Sequence, residues 1–244
     1  MTSLAEAVEQ AQAAQRTSRK PLAIVLAGHN GSGKSTMWYG HLASTLQIPL
    51  INADRMMLSI LPEVAPGVPL PDWAAALRDS NTSWMQVAQQ GVEAFVARAM
   101  ARQVPFAMET VFSHWRKRSD GTIESKIDRI RDMQAAGYFV VLFFVGLTSR
   151  ELSIARVLTR VSTGGHNVAV PKLIARFPRT QQAIERARLV ADATILVDNS
   201  REPAKAFTVC RIQLKAKEVF DLRNRRARLP AEILPWLDLV APRP

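Results

Sequence analysis

The chain has 244 residues, of which 48% are hydrophobic and 22% charged, and its formal net charge is +11 at pH 7. This composition is typical of globular proteins and excludes a wholly disordered chain. The single cysteine, Cys210, excludes an internal disulfide and a cysteine-based zinc site. The N-terminal segment lacks the apolar core of a secretory signal, and the longest apolar run, at 138–145, is far shorter than the roughly 20 residues of a membrane helix. We therefore expect a soluble cytoplasmic protein without membrane contact.

Short apolar strands and amphipathic helices are predicted to alternate along the chain. Helices are expected at 4–15, 34–46, 84–101, 123–136, 149–160 and 172–190, the last with a break at Pro178. Apolar runs typical of buried strands lie at 22–27, 48–53, 104–108, 138–145 and 193–197. This alternation predicts an α/β fold with a doubly wound, mostly parallel five-stranded sheet. Segments 208–214 and 218–222 are expected to add a small antiparallel C-terminal β appendage.

The chain is predicted to consist of an N-terminal helix and linker (1–20), a catalytic domain (21–200) with a lid at about 147–190, and a basic C-terminal extension packed on the domain (201–244). Positive charge is concentrated in two stretches. Residues 147–189 hold eight basic and two acidic residues, and residues 201–244 hold ten basic and five acidic ones. Such a field attracts ligand phosphates or a nucleic-acid backbone, although solvated helix faces are an alternative explanation.

Residues 28–35 match the phosphate-loop pattern G-x-x-x-x-G-K-[ST], between a predicted strand and a predicted helix. Glycines let such a backbone curl around phosphates, and the following helix adds the positive end of its dipole. Lys34 is expected to bridge the β- and γ-phosphates of ATP, and the Ser35 hydroxyl to bind Mg²⁺. The predicted nucleotide-binding residues are Gly28, His29, Asn30, Gly31, Ser32, Gly33, Lys34, Ser35 and Thr36.

Two acids, Asp54 and Glu109, each follow a predicted strand and should face the same crevice as the phosphate loop. One carboxylate can accept a proton from an attacking hydroxyl, and the other can bind Mg²⁺ or orient the acceptor. An N-cap role for Asp54 is the alternative. For Glu109, a structural or substrate-binding role competes equally with a metal role.

An ordered set of segments resembles the zeta toxin family of P-loop kinases. These segments are AGHNGSGKST, NAD at 52–54, ETVFS at 109–113, RVLTRVSTGGHNVAVPKLIARFPRT and VDNS at 197–200. The resemblance covers about residues 20 to 200. The phosphate loop alone is generic, whereas its combination with the GGH-containing segment and the arginines after it is fairly specific.

The resemblance implies a kinase that uses ATP and Mg²⁺; characterised members phosphorylate the 3′-hydroxyl of the sugar in UDP-N-acetylglucosamine. It matches Lys34 and Ser35 to the nucleotide and magnesium residues, and Asp54 to the catalytic base. Glu109 and Thr110 match acceptor-site positions. Arg160, Arg176 and Arg179 are the best matches to the catalytic arginines of a lid around residues 164–166. An inhibitory antitoxin-like protein is the implied partner.

Two other functions remain open at this point. A polynucleotide kinase would use the basic tail to bind RNA, and a regulatory protein could retain the phosphate loop without turnover. The GGH-containing lid and the basic tail depart from the plasmid-type toxins, and this departure bears on the acceptor more than on the phosphate donor.

Overall fold

The computed structural model describes residues 2–65, 68–162, 165, 167–225 and 230–243. Its helices are α1 (Leu4–Ser18), α2 (Lys34–Met37), α3 (Ala43–Leu46), α4 (Ala53–Leu58), α5 (Asp72–Ser80), α6 (Thr82–Ala101), α7 (Ile127–Ala135), α8 (Arg150–Ser162), α9 (Val170–Ala187) and α10 (Ile233–Val240). A π turn at Trp38–Leu42 makes residues 34–46 one helical run. The strands are β1 (Leu22–Gly28), β2 (Leu50–Ile51), β3 (Phe106–Thr110), β4 (Trp115–Lys117), β5 (Ile123–Ser125), β6 (Phe139–Gly146), β7 (Ala193–Asp198), β8 (Thr208–Leu214) and β9 (Lys217–Asp221).

Five strands lie side by side in the order β2, β3, β1, β6, β7, and each neighbouring pair is parallel. Antiparallel β8 and β9 extend this sheet beyond β7, so the described part of the chain contains a seven-stranded sheet. Strands β4 and β5 form a separate antiparallel hairpin. The carboxyl ends of the parallel strands meet at one edge of the sheet, where α/β proteins bind their ligands.

Successive strand residues point to opposite faces of the sheet, and each face carries its own apolar cluster. Val25, Leu142 and Leu196 face helices α6, α7, α9 and α10. Ile24 and Phe143 face α1 and the helical run at 34–46. Both faces of the sheet are therefore covered, as in other doubly wound folds.

The predicted fold class is confirmed, including the antiparallel C-terminal strands. The predicted division near residues 20 and 200 stays a prediction. Helix α1 packs Ala7, Val8 and Ala11 against the sheet and extends into the predicted linker. Among the described residues, no helix is both long and apolar enough to cross a membrane.

The predicted helix at 123–136 is wrong in its first turn. Residues 123–125 form β5, which pairs with β4, and α7 begins at Ile127. The turn at Asp120–Gly121 closes this hairpin: Gly121 has φ +82°, and Arg118 N–H donates to Thr122 O at 2.8 Å. An Asp-Gly pair is a known hairpin signal, and it was available in the sequence.

The predicted break at Pro178 is also wrong, because α9 continues through it. Pro178 is exposed, and so is Ile174 one turn earlier, whose carbonyl loses its usual helical partner. The predicted strand at 48–53 contains only the short β2, followed by α4. Helices α5 and α10 were not predicted.

Candidate active site

The phosphate-loop pattern lies at the carboxyl end of β1, and its glycines occupy positions where a side chain would not fit. A Cβ atom on Gly28 would lie 2.5 Å from Val145 O and 2.6 Å from Ser32 Oγ. Gly31 and Gly33 have φ values of +70° and +86°, in the left-handed region that favours glycine. The backbone therefore curls immediately before the helical run at 34–46, an arrangement suited to phosphate binding.

Polar side chains from distant parts of the chain hold this loop. Ser153 Oγ on α8 donates to Asn30 O at 2.7 Å, and Asn199 Nδ2, directly after β7, donates to Ser32 O at 2.9 Å. A Cβ atom on Gly33 would come within 2.7 Å of Asn199 Nδ2. Contacts from α8 and from the end of β7 therefore fix the shape of the loop.

Lys34 lies inside the curl of the loop. Its Nζ donates to Gly28 O at 3.2 Å and to His29 O at 3.0 Å, and it lies 3.9 Å from Glu109 Oε1. Burial lowers the pKa of Lys34, while the carboxylates of Glu109 and Asp54 oppose this shift. The ammonium group is thus placed between the loop backbone and Glu109.

The Glu109 carboxylate lies at the mouth of the loop and binds residues from two other elements. Ser35 Oγ donates to its two oxygens at 3.1 and 3.0 Å. Asn52 Nδ2 donates to Glu109 Oε2 at 2.7 Å. The structure thus brings Ser35 and Glu109, the two predicted metal-binding residues, into direct contact. Binding of a metal ion by these two residues stays a prediction.

Asp54 lies in the first turn of α4 with its side chain exposed. Its charge acts on Lys34 and on Arg176, raising the pKa of each against the effect of burial. The N-cap of α4 is Asn52, whose Oδ1 accepts the backbone N–H groups of Asp54 and Arg55. The alternative N-cap role for Asp54 is therefore wrong, and its negative charge acts on two cationic groups of the site.

The three predicted arginines have different surroundings. Arg160, near the end of α8, is half-buried and lowers the pKa of Lys34. Arg176 on α9 is half-buried, and its pKa is lowered by burial while Asp54 opposes the shift. Arg179 lies on the same helix and is exposed. The charge of Arg160 thus acts on Lys34, and that of Arg176 on Asp54.

The lid expected around residues 164–166 lies mostly outside the described residues, which omit Gly164 and His166. Gly165 is described, and its N–H donates to Arg160 O at 2.8 Å. A Cβ atom there would lie 2.4 Å from Arg160 Cγ, so glycine is required for this close contact. Gly165 therefore packs directly against Arg160.

The side chain of His29 is buried beneath α9. Its ring is 1% exposed, stacks on Phe177 at 4.0 Å, and accepts the backbone N–H of Leu147 at Nδ1 over 3.2 Å. Burial, assisted by the charge of Lys34, lowers the pKa of His29 to about 3. The imidazole is therefore neutral near pH 7, with its proton on Nε2.

The segment after β3 is held by α9. Thr180 Oγ1 donates to Val111 O at 3.2 Å, and Thr110 Oγ1 accepts the N–H of Phe112 at 3.3 Å. Phe112 is buried with φ +63°, an uncommon backbone conformation for a bulky residue. Thr110, a predicted acceptor-site residue, thus lies next to a constrained turn. Thr36, predicted to bind nucleotide, is exposed in α2.

Sequence reasoning missed Asn52, Ser153 and Arg156. Arg156 on α8 is half-buried, and burial lowers its pKa while Asp198 opposes the shift. A Cβ atom on Gly31 would lie 3.1 Å from Arg156 Cβ, so the arginine borders the loop. Asn52 and Arg156 both begin segments that carried the family resemblance, and an Asn two residues before Asp54 was a readable N-cap signal.

The family model for zeta toxin matches residues 5–205 of this chain. The chain belongs to the zeta toxin family. Together with the phosphate loop, this membership makes the protein a nucleotide-using phosphotransferase of the P-loop kinase type. A protein of Haemophilus influenzae, described as uncharacterized, is 26% identical over 147 residues, which cover 60% of this chain and 86% of that protein.

Two solved structures share the fold of this zeta toxin family member at 13% identity. One comes from the PezAT chromosomal toxin-antitoxin system of Streptococcus pneumoniae, with a TM-score of 0.53 over 97% of this chain and 88% of that chain. The other is AvrRxo1-ORF1:-ORF2 with ATP, with a TM-score of 0.58 over 96% of this chain and 70% of that chain. At this identity the similarity establishes the fold alone.

Proposed function

We propose that this zeta toxin family member is a Mg²⁺-dependent kinase that transfers the γ-phosphate of ATP to a hydroxyl group of a small molecule. A nucleotide sugar such as UDP-N-acetylglucosamine is the proposed acceptor, on the strength of the family resemblance. The observation that carries the proposal is the contact of Ser35 and Glu109 beside Lys34, at the mouth of the glycine loop. This grouping offers a cation, an oxygen pair and a backbone cradle within one site.

Ser35 and Glu109 fit the magnesium ion that the family implies. Their oxygen atoms lie 3.0 and 3.1 Å apart, and Mg²⁺ prefers oxygen ligands. Among the described residues, no group of three or more His, Cys, Asp and Glu residues could hold a metal ion. Mg²⁺ commonly uses one or two protein ligands together with substrate phosphates and water, so Ser35 and Glu109 would suffice. When bound, the ion would neutralise negative charge on the transferring phosphate.

On the donor side, the loop at 28–35 would hold the phosphates of ATP through its backbone N–H groups. Lys34 would release Gly28 O and His29 O and turn its Nζ toward the β- and γ-phosphates. Arg160 and Arg176 are the proposed partners for charge that develops on the γ-phosphate oxygens, because a guanidinium stays charged and binds two oxygens at once.

On the acceptor side, Asp54 is the proposed general base. Its carboxylate takes the proton of the acceptor hydroxyl as the hydroxyl oxygen bonds to the γ-phosphorus. The bond from that phosphorus to the oxygen bridging the β- and γ-phosphates breaks, and ADP leaves. Because Asp54 is exposed, the proton can then pass to solvent. Glu109 and Thr110 are the proposed acceptor-side residues, with Glu109 shared with the metal.

Three arginines of the basic C-terminal stretch are paired within the fold. Arg211 and Arg223 each contact Asp221 Oδ2, at 2.8 and 2.6 Å, and Arg201 contacts Asp198 at 3.2 Å. These guanidinium groups are neutralised within the fold and are not available as a phosphate-binding face. Membership of the zeta toxin family is the reason for preferring the small-molecule acceptor to a polynucleotide.

The test is incubation with γ-labelled ATP and Mg²⁺, first with UDP-N-acetylglucosamine and then with a metabolite extract. We expect label on the acceptor with the wild-type chain, and none with Lys34→Ala. Asp54→Asn should still bind ATP in calorimetry but transfer about 10²- to 10⁴-fold more slowly. ATP binding without transfer to any acceptor would favour the regulatory alternative, and label on another metabolite would replace the proposed acceptor.

An inhibitory protein partner is proposed from the family alone. The PezAT structure belongs to a toxin-antitoxin system, and this chain shares its fold. Because ATP is the proposed phosphate donor, the cytoplasm is the proposed compartment. If the activity is toxic, expression of wild-type protein should stop growth of a bacterial host, and the Asp54→Asn variant should be tolerated.

A further inference from the structure

We propose that Asn52 is a positioning residue that sets the distance between Asp54 and Glu109; the inference rests on the roles proposed for those two acids. Asn52 is 7% exposed and lies between β2 and α4. Its Oδ1 accepts the N–H groups of Asp54 at 2.8 Å and Arg55 at 3.2 Å. Its Nδ2 donates to Glu109 Oε2 at 2.7 Å. One side chain therefore contacts both acid-bearing segments.

The orientation of this amide is fixed by its partners. Backbone N–H groups can only donate, so the Asn52 oxygen must face Asp54 and Arg55. The NH₂ group must then face Glu109, which accepts it as a carboxylate. The side chain of Asn52 consequently has one workable orientation, and both of its ends are in use.

The contact extends from Asn52 to the phosphate loop. Glu109, held by Asn52 on one side, accepts Ser35 Oγ on the other and lies 3.9 Å from Lys34 Nζ. Asn52 thus joins the start of α4, which carries the proposed base, to the carboxylate beside the proposed metal. Without the amide donor, Glu109 would lose its hydrogen bond to the segment that carries Asp54.

A capping role alone would not require asparagine. Ser and Asp cap helices about as well as Asn, so Asn52→Ser and Asn52→Asp preserve the start of α4 while removing the donor to Glu109. The chain offers a matched control in Asn81, the N-cap of α6, whose Oδ1 accepts the N–H of Trp84 at 2.9 Å and which lies on an exposed surface. Asn81→Ser and Asn81→Asp change a cap in the same way, away from the acids.

The experiment uses the full-length chain and two readouts. The first is transfer from γ-labelled ATP to the acceptor found for the wild type, with kcat and the KM for ATP measured separately. The second is calorimetric binding of ATP with and without Mg²⁺. We expect Asn52→Ser to lower kcat about 10- to 100-fold, the effect of one hydrogen bond to a charged group, with KM within twofold. Asn52→Asp should lower kcat further, because a second carboxylate would repel Glu109.

In calorimetry, Asn52→Ser should reduce the gain in ATP affinity that Mg²⁺ provides by at least threefold, while metal-free ATP binding stays unchanged. Both Asn81 variants should match the wild type in both readouts. If both Asn52 variants keep the kcat of the wild type and its gain in ATP affinity with Mg²⁺, the inference is overturned and the proposed kinase function stands. If the wild-type chain transfers no phosphate to any acceptor, the proposed kinase function is overturned. The gain in ATP affinity that Mg²⁺ provides would still decide the role of Asn52.

Discussion

At the scale of single residues, His29 illustrates how burial changes the chemistry of a side chain in a phosphate loop. Histidine commonly acts as a proton carrier near neutral pH. Here the ring is enclosed by Phe177 and Phe144 and bonded to the backbone of Leu147. With its pKa lowered to about 3, it stays neutral. Its side chain therefore links the loop to α9 and takes no part in proton transfer.

This depressed pKa predicts a pH-dependent stability. In the unfolded chain His29 should titrate near its ordinary value of 6.5, whereas the folded chain resists protonation until about pH 3. The unfolded state then binds more protons below pH 6.5, so the free energy of unfolding decreases as the pH falls. Between pH 7 and pH 5, the shifted pKa of this residue alone should lower the free energy of unfolding by about 2 kcal/mol.

Urea denaturation of wild type and His29→Asn at pH 7 and pH 5 measures the effect. We expect the variant to be less stable at pH 7 but to lose about 2 kcal/mol less on acidification. His41→Asn, at an exposed histidine, is the matched control. Equal pH dependence in wild type and His29→Asn would show that the ring is protonated in the folded chain well above pH 3.

Arg176 and Arg179 lie less than one helical turn apart on α9, but their substitution should have very different effects on kcat. Arg176 is half-buried and acts on Asp54, whereas Arg179 is exposed on the same helix. An arginine that stabilises the transferring phosphate is worth about 10³ to 10⁵ in rate. We expect Arg176→Ala to lower kcat about 10³-fold and Arg179→Ala to lower it less than tenfold. The reverse order in a transfer assay would move the catalytic role to Arg179.

At the scale of elements, local sequence signals identified most of the parallel sheet. The runs at 22–27, 138–145 and 193–197 are predominantly apolar and show no alternation, since these strands are buried on both faces. The β2 strand was predicted too long because the N-cap at Asn52, which starts α4, was not recognised as its end. Helix α10 was missed because its apolar face is set by packing: Trp236 stacks on Phe144 from a distant strand.

The candidate site was predictable only where local sequence patterns define it. Gly28, Lys34 and Ser35 follow from one contiguous pattern, and Asp54 and Glu109 follow from strand ends. The contacts that hold them are long-range. Asn199 reaches Ser32 across 167 positions, and Ser153 reaches Asn30 across 123, and no local pattern encodes such pairs.

The β8–β9 pair depends on a buried carboxylate. Asp221 lies opposite Arg211 in the sheet and contacts both Arg211 and Arg223. Burial raises the pKa of Asp221, but the hydrogen bonds and charge of Arg223 outweigh it, with Arg211 adding to them, and the net shift is downward. Its contribution to stability is therefore present above pH 4 and is lost as the pH falls through the lowered pKa.

Asp221→Asn should lower the free energy of unfolding by about 2–3 kcal/mol at pH 7, because two buried guanidinium groups lose their shared anion. Asp238→Asn removes an exposed partner of Arg223 and should cost less than about 1 kcal/mol. Chemical denaturation of both variants measures the difference. Equal losses would mean that the buried pairing contributes no more than the exposed one.

At the scale of the whole molecule, the sheet continues past the end of the family match. The zeta toxin model ends at residue 205, whereas β8 begins at Thr208 and pairs along the length of β7. Val209 and Ile212 of β8 lie in the apolar cluster that also contains strands β1 and β6. The C-terminal segment therefore forms part of the core as well as an edge of the sheet.

Helix α10 completes the opposite face. A Cβ atom on Gly146 would lie 2.1 Å from the Trp236 ring, so the tryptophan packs directly on the end of β6. Ile233, Leu237 and Val240 are buried in the same cluster. Gly146 immediately precedes Leu147, whose N–H holds His29. The C-terminal helix is thus packed close to the segment that supports the phosphate loop.

A chain ending at residue 205 should consequently fail to fold cooperatively. It would lose β8, β9 and α10, whose large apolar side chains each contribute about 1.5–3 kcal/mol on burial. Several such losses equal or exceed the roughly 5–15 kcal/mol by which a typical domain is stable. A chain ending at Ala241, which keeps α10, is the control and should melt like the 244-residue chain. A cooperative thermal transition and normal ATP binding in the shorter chain would instead show that residues up to 205 fold alone and that the C-terminal strands are an accessory to the kinase domain.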